Sequence, residues 1–172
     1  MGAKLLAGKQ ILAVDDEQDI LDIIAEELEE YGVELERASS YEDAIQKMSS
    51  LTYDLVILDI MGVRGFELLK FAIDKSMPAV MLTAHALSPE SLKKSIELGA
   101  RAFLPKDQLG QLAPFLEDVL THSYHGAWKS VLGKLGSSFG KRFGPEWTKT
   151  EKEFWEKFDN DLDTNEAIII RS

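Results

Sequence analysis

The chain has 172 residues, 45% hydrophobic and 28% charged, with a formal net charge of −11 and a sequence pI near 4.7. That length allows one sizeable α/β core, or one core with a short appended segment. The acidic balance repels phosphate backbones, which argues against nucleic-acid binding by the bulk surface. The absence of cysteine excludes disulfides, thiol catalysis and thiolate metal sites.

Over the first ~120 residues, short apolar runs alternate with longer segments of helical period. Ile11–Val14 reads as a buried strand. Asp19 to Tyr31 follows as a helix with Ile20, Ile23, Ile24 and Leu28 on one stripe and Gly32 as its stop. Glu34–Ala38 is the most polar strand candidate and suits a sheet edge. Ser40 to Ser50 opens on an N-cap serine followed by Glu42 and Asp43, acids placed in a first helical turn. Leu55–Leu58 is a second near-continuous apolar run, and Gly65 to Asp74 carries Leu68, Leu69 and Ala72 at helical spacing. Ala79–Leu82 is the fourth strand. Ser88-Pro89 starts the next helix with a serine cap and proline at the first position, and Gly99 ends it. Ala102–Leu104 is the fifth strand, and Leu109 to Thr121 is a last helix interrupted by Pro114.

Five strands alternating with five helices predict an α/β fold, a doubly wound five-stranded parallel sheet. Such sheets bind ligands beyond the carboxyl ends of their strands. The polar chemistry of this chain falls there. Asp15 and Asp16 follow the first strand, Asp59 the third, Thr83 the fourth, and Lys106 the fifth after Pro105. Three converging carboxylates repel one another unless a positive charge sits among them. A hard divalent cation with oxygen ligands answers that need, and Mg²⁺ takes carboxylates, waters and phosphate oxygens together. With Lys106 as a second cation and Thr83 as a hydroxyl donor, the set suits a phosphoryl group in transit. A carboxylate can accept that group as an acyl phosphate.

Four segments carry a resemblance: Ile11-Leu12-Ala13-Val14-Asp15-Asp16-Glu17, Leu55-Val56-Ile57-Leu58-Asp59-Ile60-Met61, Met81-Leu82-Thr83-Ala84-His85-Ala86, and Gly99-Ala100-Arg101-Ala102-Phe103-Leu104-Pro105-Lys106. In this order they resemble the signature blocks of the response-regulator receiver family, over roughly residues 8–121. The resemblance implies a flavodoxin-like sheet of order 2-1-3-4-5 and a two-component signalling role. By position, Asp59 would be phosphorylated by a histidine kinase or phosphotransfer protein. Asp15, Asp16 and Asp59 would hold Mg²⁺ (or Mn²⁺), with the Met61 backbone carbonyl as a further ligand. Thr83 would bond a phosphoryl oxygen, Lys106 would pair with the phosphoryl group, and Phe103 would be the aromatic switch that moves with Thr83. Ala84, being small, would leave Asp59 accessible. The implied protein is not a conventional enzyme; with a divalent metal it supports its own phosphorylation and dephosphorylation.

The chain departs from the family pattern after the acceptor. The usual proline four residues on is missing, and Gly65 stands six residues after Asp59 where the family glycine stands about eight after. The loop reads as shortened. This motivates an alternative, a pseudo-receiver that binds partners without turning over phosphate. A metal-dependent phosphatase is a third class, supported by carboxylate chemistry alone. Blander readings stand beside the sharp ones: post-strand acids as helix caps, Thr83 as a cap, Phe103 as plain core, His85 as a surface residue. His122 and His125 lack a third ligand and read as a solvated pair. There is no glycine-rich nucleotide loop.

The character changes near residue 121. Residues 1–122 hold 11 basic and 22 acidic residues, whereas residues 123–172 hold 8 of each. The segment 122–172 is therefore read as a distinct extension after a 1–121 receiver. It is rich in aromatics, including Tyr124, Trp128, Phe139, Phe143, Trp147, Phe154, Trp155 and Phe158. Two helical pieces joined near 136–146 are expected, with a short strand at 167–170. The segment either packs back on the receiver or forms an interface, with a partner or in a homodimer. No helix-turn-helix is evident, and Lys141-Arg142 is too small a patch to argue DNA binding. No apolar run approaches the ~20 residues that span a bilayer, and the N-terminus lacks a secretory pattern. The expectation is a cytoplasmic protein whose output is an unidentified downstream protein.

Overall fold

Apolar runs flanked by helices on both faces leave a parallel strand no solvent side, and this explains how the sheet is built. In the computed structural model the strands β1 (Gln10–Val14), β2 (Glu34–Ala38), β3 (Leu55–Asp59), β4 (Ala79–Thr83) and β5 (Ala102–Pro105) form one parallel sheet. Their order is β2-β1-β3-β4-β5. The structure describes residues 5–84, 88–122, 127–128 and 154–158. Every residue of β3, β4 and β5 is buried, whereas β2 alternates exposed and half-buried positions before Ala38, as its polar sequence requires at an edge.

The helices are α1 (Gln18–Leu28), α2 (Tyr41–Ser50), α3 (Gly65–Asp74), α4 (Pro89–Glu97) and α5 (Leu112–Thr121). From β1 the chain steps outward through α1 to β2, then reverses through α2 to β3. Right-handed crossovers in opposite directions send α1 and α2 to opposite faces. Accordingly α1 packs beside α5, and α2 beside α3. The reversal opens a crevice between the carboxyl ends of β1 and β3, and the site sits there.

Local chemistry sets the boundaries. The Ser40 side chain accepts from Asp43 N–H at 3.1 Å, and the Ser88 side chain accepts from Ser91 N–H at 3.1 Å. Gly32 (φ +73°) and Gly99 (φ +99°) take the left-handed conformation that ends a helix.

Two expectations need correction. The inward stripe of α1 is Leu21, Ile24 and Leu28, with Ile20 partly buried, while Ile23 is 37% exposed. Leu21, Ile24 and Leu28 recur at helical spacing, and Ile23 lies one step off that face. The last helix also starts later than Leu109. Residues Lys106–Gln111 form a 3₁₀ segment, and α5 begins at Leu112. Pro114 thus falls in the first turn, where a missing N–H costs nothing.

Leu6, ahead of β1, is fully buried and belongs to the core. Beyond α5, Trp128 is fully buried, and its indole N–H donates to the Ala100 carbonyl at 2.7 Å. Its ring meets Phe158 edge-on at 6.1 Å, and Lys93 of α4 lies over the Phe154 ring at 5.2 Å. Trp128, Trp155 and Phe158 join the same hydrophobic cluster as the strands. The expected junction near 136–146 and the short strand at 167–170 lie outside the described residues, as do His85 and His125, while 127–128 and 154–158, within the two expected helical pieces, are helical. Among the described residues no helix is long and apolar enough to cross a membrane.

Candidate phosphoryl-transfer site

Each expected polar residue arrives at the sheet edge by the simplest route, the end of its strand. Asp59 and Thr83 are the last residues of β3 and β4. Asp15 and Asp16 directly follow β1, and Lys106 directly follows β5. The sheet register aligns these ends: Val14 pairs with Leu58, Asp59 with Leu82, and Thr83 with Pro105.

The side chains meet as the spacing predicts. One carboxylate oxygen from each of Asp15, Asp16 and Asp59 lies within 4.8 Å of the others. Asp15 is fully buried, Asp59 is 5% exposed, and Asp16 is exposed. The Lys106 ammonium pairs with two of them, 2.8 Å from Asp15 Oδ2 and 3.1 Å from Asp59 Oδ1. It also reaches Glu17 Oε1 at 3.1 Å.

The electrostatics follow from burial and pairing. Burial pushes the Asp15 carboxyl above its ordinary range. Contact with Lys106 and the Glu17 N–H opposes that push, and the Asp59 charge adds to it. For Lys106, burial disfavours the ammonium, but Asp15, Asp59 and Glu17 outweigh it and hold the group above the ordinary lysine range. Lys106 is therefore a fixed cation at neutral pH.

Asp59 is held from both sides. Its Oδ1 faces Lys106, and its Oδ2 accepts the Gly62 N–H at 3.0 Å. Thr83 is 4% exposed. It shares the lining of an open cleft of about 390 Å³ with Asp16, Asp59, Met61, Ala84 and Lys106. Met61 projects its side chain outward, at 69% exposure, and its carbonyl accepts from Arg64 N–H at 3.4 Å. Phe103 lies fully buried in β5, level with Met81 of β4. His122, by contrast, is an exposed residue at the end of α5, its Nδ1 2.7 Å from the Asp118 carbonyl oxygen, and it takes no part in this cluster.

The donor set fits a hard divalent cation. All candidate ligands are oxygens. Asp15 Oδ2 is buried without a well-directed hydrogen bond; the Lys106 contact is an ion pair only.

Sequence reasoning gave no role to two residues that the geometry brings in. Glu17 grips Lys106, and the signal was its place directly after Asp15-Asp16. Gly62 supplies the amide on Asp59, and its backbone lies so close to the Asp16 carboxylate that a methyl group there would overlap it. Nothing in the sequence singled out one glycine of the Gly62–Gly65 loop for that contact.

An acidic crevice with an embedded lysine, at the switch point of a 2-1-3-4-5 sheet, defines a receiver-like site. The family model of the response regulator receiver domain matches residues 11–114, and the chain belongs to that family. The chain is 31% identical over 104 residues to the phosphate regulon transcriptional regulatory protein PhoB of Klebsiella pneumoniae, covering 57% of this chain and 45% of that protein. It is 35% identical over 104 residues to the alkaline phosphatase synthesis transcriptional regulatory protein PhoP of Bacillus subtilis, covering 57% of this chain and 42% of that one. The chain thus spans less than half the length of these relatives. Among solved structures, the CheY-like receiver domain protein of Methanospirillum hungatei superposes with a TM-score of 0.61 at 30% identity, over 66% of this chain and 94% of that one. The receiver domain of NtrX from Brucella abortus gives 0.59 at 32% identity, over 66% and 99%.

Proposed function

We propose that this chain is a phospho-accepting response regulator, with Asp59 as the acceptor. The observation that carries the reading is the convergence of the Asp15, Asp16 and Asp59 carboxylates within 4.8 Å of one another, with the Lys106 ammonium paired to Asp15 and Asp59, at an open cleft lined by Asp16, Asp59, Thr83 and Lys106. In the proposed reaction a carboxylate oxygen of Asp59 attacks the phosphorus of a phosphohistidine on a histidine kinase or phosphotransfer protein. The P–O bond to Asp59 forms as the P–N bond breaks, and the imidazole leaves.

Asp15, Asp16 and Asp59, with the Met61 carbonyl, would hold Mg²⁺ or Mn²⁺. Such an ion neutralises and orients the phosphoryl oxygens. The Lys106 ammonium offsets negative charge that grows on those oxygens, and its raised pKa keeps it charged throughout. The Thr83 hydroxyl donates to a phosphoryl oxygen, and Ala84 leaves the cleft mouth open. Bonding of Thr83 to the phosphoryl group biases β4 and, through the buried Phe103 beside it, β5. The output is a population shift that changes a protein–protein surface. The aromatic segment within 122–172 is read as part of that surface, seated on the receiver through Trp128 and Phe154.

The test is incubation with acetyl phosphate and Mg²⁺, followed by intact mass. One added phosphate is expected on the wild type and none on Asp59→Asn. A wild type left unmodified, under conditions that modify a control receiver, overturns the reading in favour of a binding-only pseudo-receiver.

A further inference from the structure

The loop between β3 and α3 is the point where this chain departs from its family, and it presses on the acceptor. Its Gly62 N–H donates to Asp59 Oδ2 at 3.0 Å, and its backbone walls the Asp16 carboxylate. At its far end Gly65 N–H donates to the Ile60 carbonyl at 3.0 Å. There is no room for a side chain at Gly65, because a methyl group would overlap the Asp59 carbonyl oxygen. The loop therefore folds tightly back on the residue it follows.

Closing so short a loop requires a left-handed residue, and that residue is Arg64, at φ 57° and ψ 52°. A β-carbon makes this region unfavourable, so the surroundings must hold it. They do so through the side chain. Arg64 Nε donates to Glu67 Oε2 at 2.7 Å, and an Arg64 terminal nitrogen donates to Glu67 Oε1 at 2.6 Å. The same guanidinium lies over the Tyr41 ring of α2, 4.1 Å from its centre. An isolated surface ion pair contributes little. A two-pronged fork stacked on a ring fixes the guanidinium in orientation as well as position, and a lysine cannot reproduce it. The clamp thus ties the loop to α3 through Glu67 and to α2 through Tyr41.

We infer that Arg64 is a positioning residue for the acceptor. Its clamped side chain holds the loop in the left-handed turn that aims the Gly62 N–H at Asp59 and sets the wall behind Asp16. Gly62 and the Met61 carbonyl move with the loop, so the clamp acts on metal affinity and on acceptor orientation together. The inference rests on the phospho-acceptor reading above but has a readout independent of it.

The experiment uses the full chain as wild type, Arg64→Gly, Arg64→Lys and Glu67→Gln. Arg64→Gly keeps the left-handed conformation accessible while deleting the clamp. Arg64→Lys keeps the charge without the fork. Three quantities are measured: Mg²⁺ affinity by calorimetry, exchange of the Gly62 amide by NMR, and phosphorylation rate with acetyl phosphate at saturating Mg²⁺. Arg64→Gly and Arg64→Lys should both weaken Mg²⁺ binding several-fold and speed Gly62 exchange. Both should also slow phosphorylation on the order of tenfold, the scale of a sub-ångström misplacement of a reacting group. Thermal melting should stay within a few degrees of wild type. Glu67→Gln should fall between, and it serves where an Arg64 variant fails to fold. Wild-type values in all three measurements for Arg64→Gly overturn the proposal. A wild type that takes no phosphate, with variants that still lose Mg²⁺ affinity and Gly62 protection, retains the clamp and removes the phospho-acceptor reading instead.

Discussion

Lys106 shows how one side chain sets the electrostatics of a whole rim. Asp15 is fully buried, and its nearest cation is the Lys106 ammonium at 2.8 Å. Removing that cation leaves a buried carboxylate without charge compensation, which is costly until it takes up a proton. Lys106→Met should lower stability at neutral pH by about 1–3 kcal/mol, measured by urea denaturation. The deficit should shrink as pH falls, because the Asp15 carboxyl, already raised by burial, protonates and sheds its penalty. A second residue gives a cleaner alkaline signature. Tyr53 is buried, and its hydroxyl donates to Glu36 Oε1 at 2.6 Å. Burial first, then Glu36, raises its phenol well above the ordinary value of 10.0. The folded state therefore keeps this proton longer than the unfolded chain does. The stability it contributes is complete below pH 10 and is lost as pH rises beyond. Tyr53→Phe should cost about 1 kcal/mol at pH 7, and its difference from wild type should narrow above pH 10. Denaturation midpoints at pH 7 and above pH 10 give the comparison.

At the scale of elements, the starts of α2 and α4 were written in capping serines and strand cores in apolar runs, whereas α1, α3 and α5 begin without a side-chain cap. Ser40 and Ser88 were legible because a serine hydroxyl is one of few groups that can satisfy a free helical N–H. The phase of α1 was less legible. Ile23 and Leu21 are both apolar, and only packing against α5 and the sheet decides which turns inward. The β3–α3 loop is the element most exposed to error by a single atom. Gly65→Ala would drive a methyl group into the Asp59 carbonyl oxygen, a backbone atom with no freedom to yield. We expect a loss of about 1–3 kcal/mol together with loss of phosphorylation, measured by thermal denaturation and intact mass. Gly110, where an added methyl group would meet only open space, should accept alanine without such loss.

At the scale of the whole molecule, the described residues beyond α5 touch segments that adjoin the strands leading to Thr83 and Lys106. Ala100, which accepts the Trp128 N–H, lies just before β5, and Lys93, over Phe154, lies on α4 directly downstream of β4. All three tryptophans of the chain, Trp128, Trp147 and Trp155, fall after residue 122. Tryptophan emission therefore reports on the extension alone. Adding Mg²⁺ and acetyl phosphate should shift the emission of the wild type and leave that of Asp59→Asn unchanged. An identical response in the two proteins would mean that the extension does not sense the acceptor. By linkage, a coupled extension alters phosphorylation in turn.

The sequence by itself determined the alternation of strands and helices, the polar β2 edge, and the identity of the residues at each strand end. Those properties are local: a parallel strand covered on both faces is apolar up to its carboxyl end, and a serine hydroxyl satisfies a free helical N–H within its own turn. Only the tertiary structure decided the grip of Glu17 on Lys106, the aim of the Gly62 amide, the left-handed turn at Arg64 and the seat of Trp128 against Ala100. The three contacts join residues by directed bonds of about 3 Å, and the turn is a backbone conformation that a non-glycine residue adopts only where its surroundings hold it; periodicity in one dimension carries no information about either.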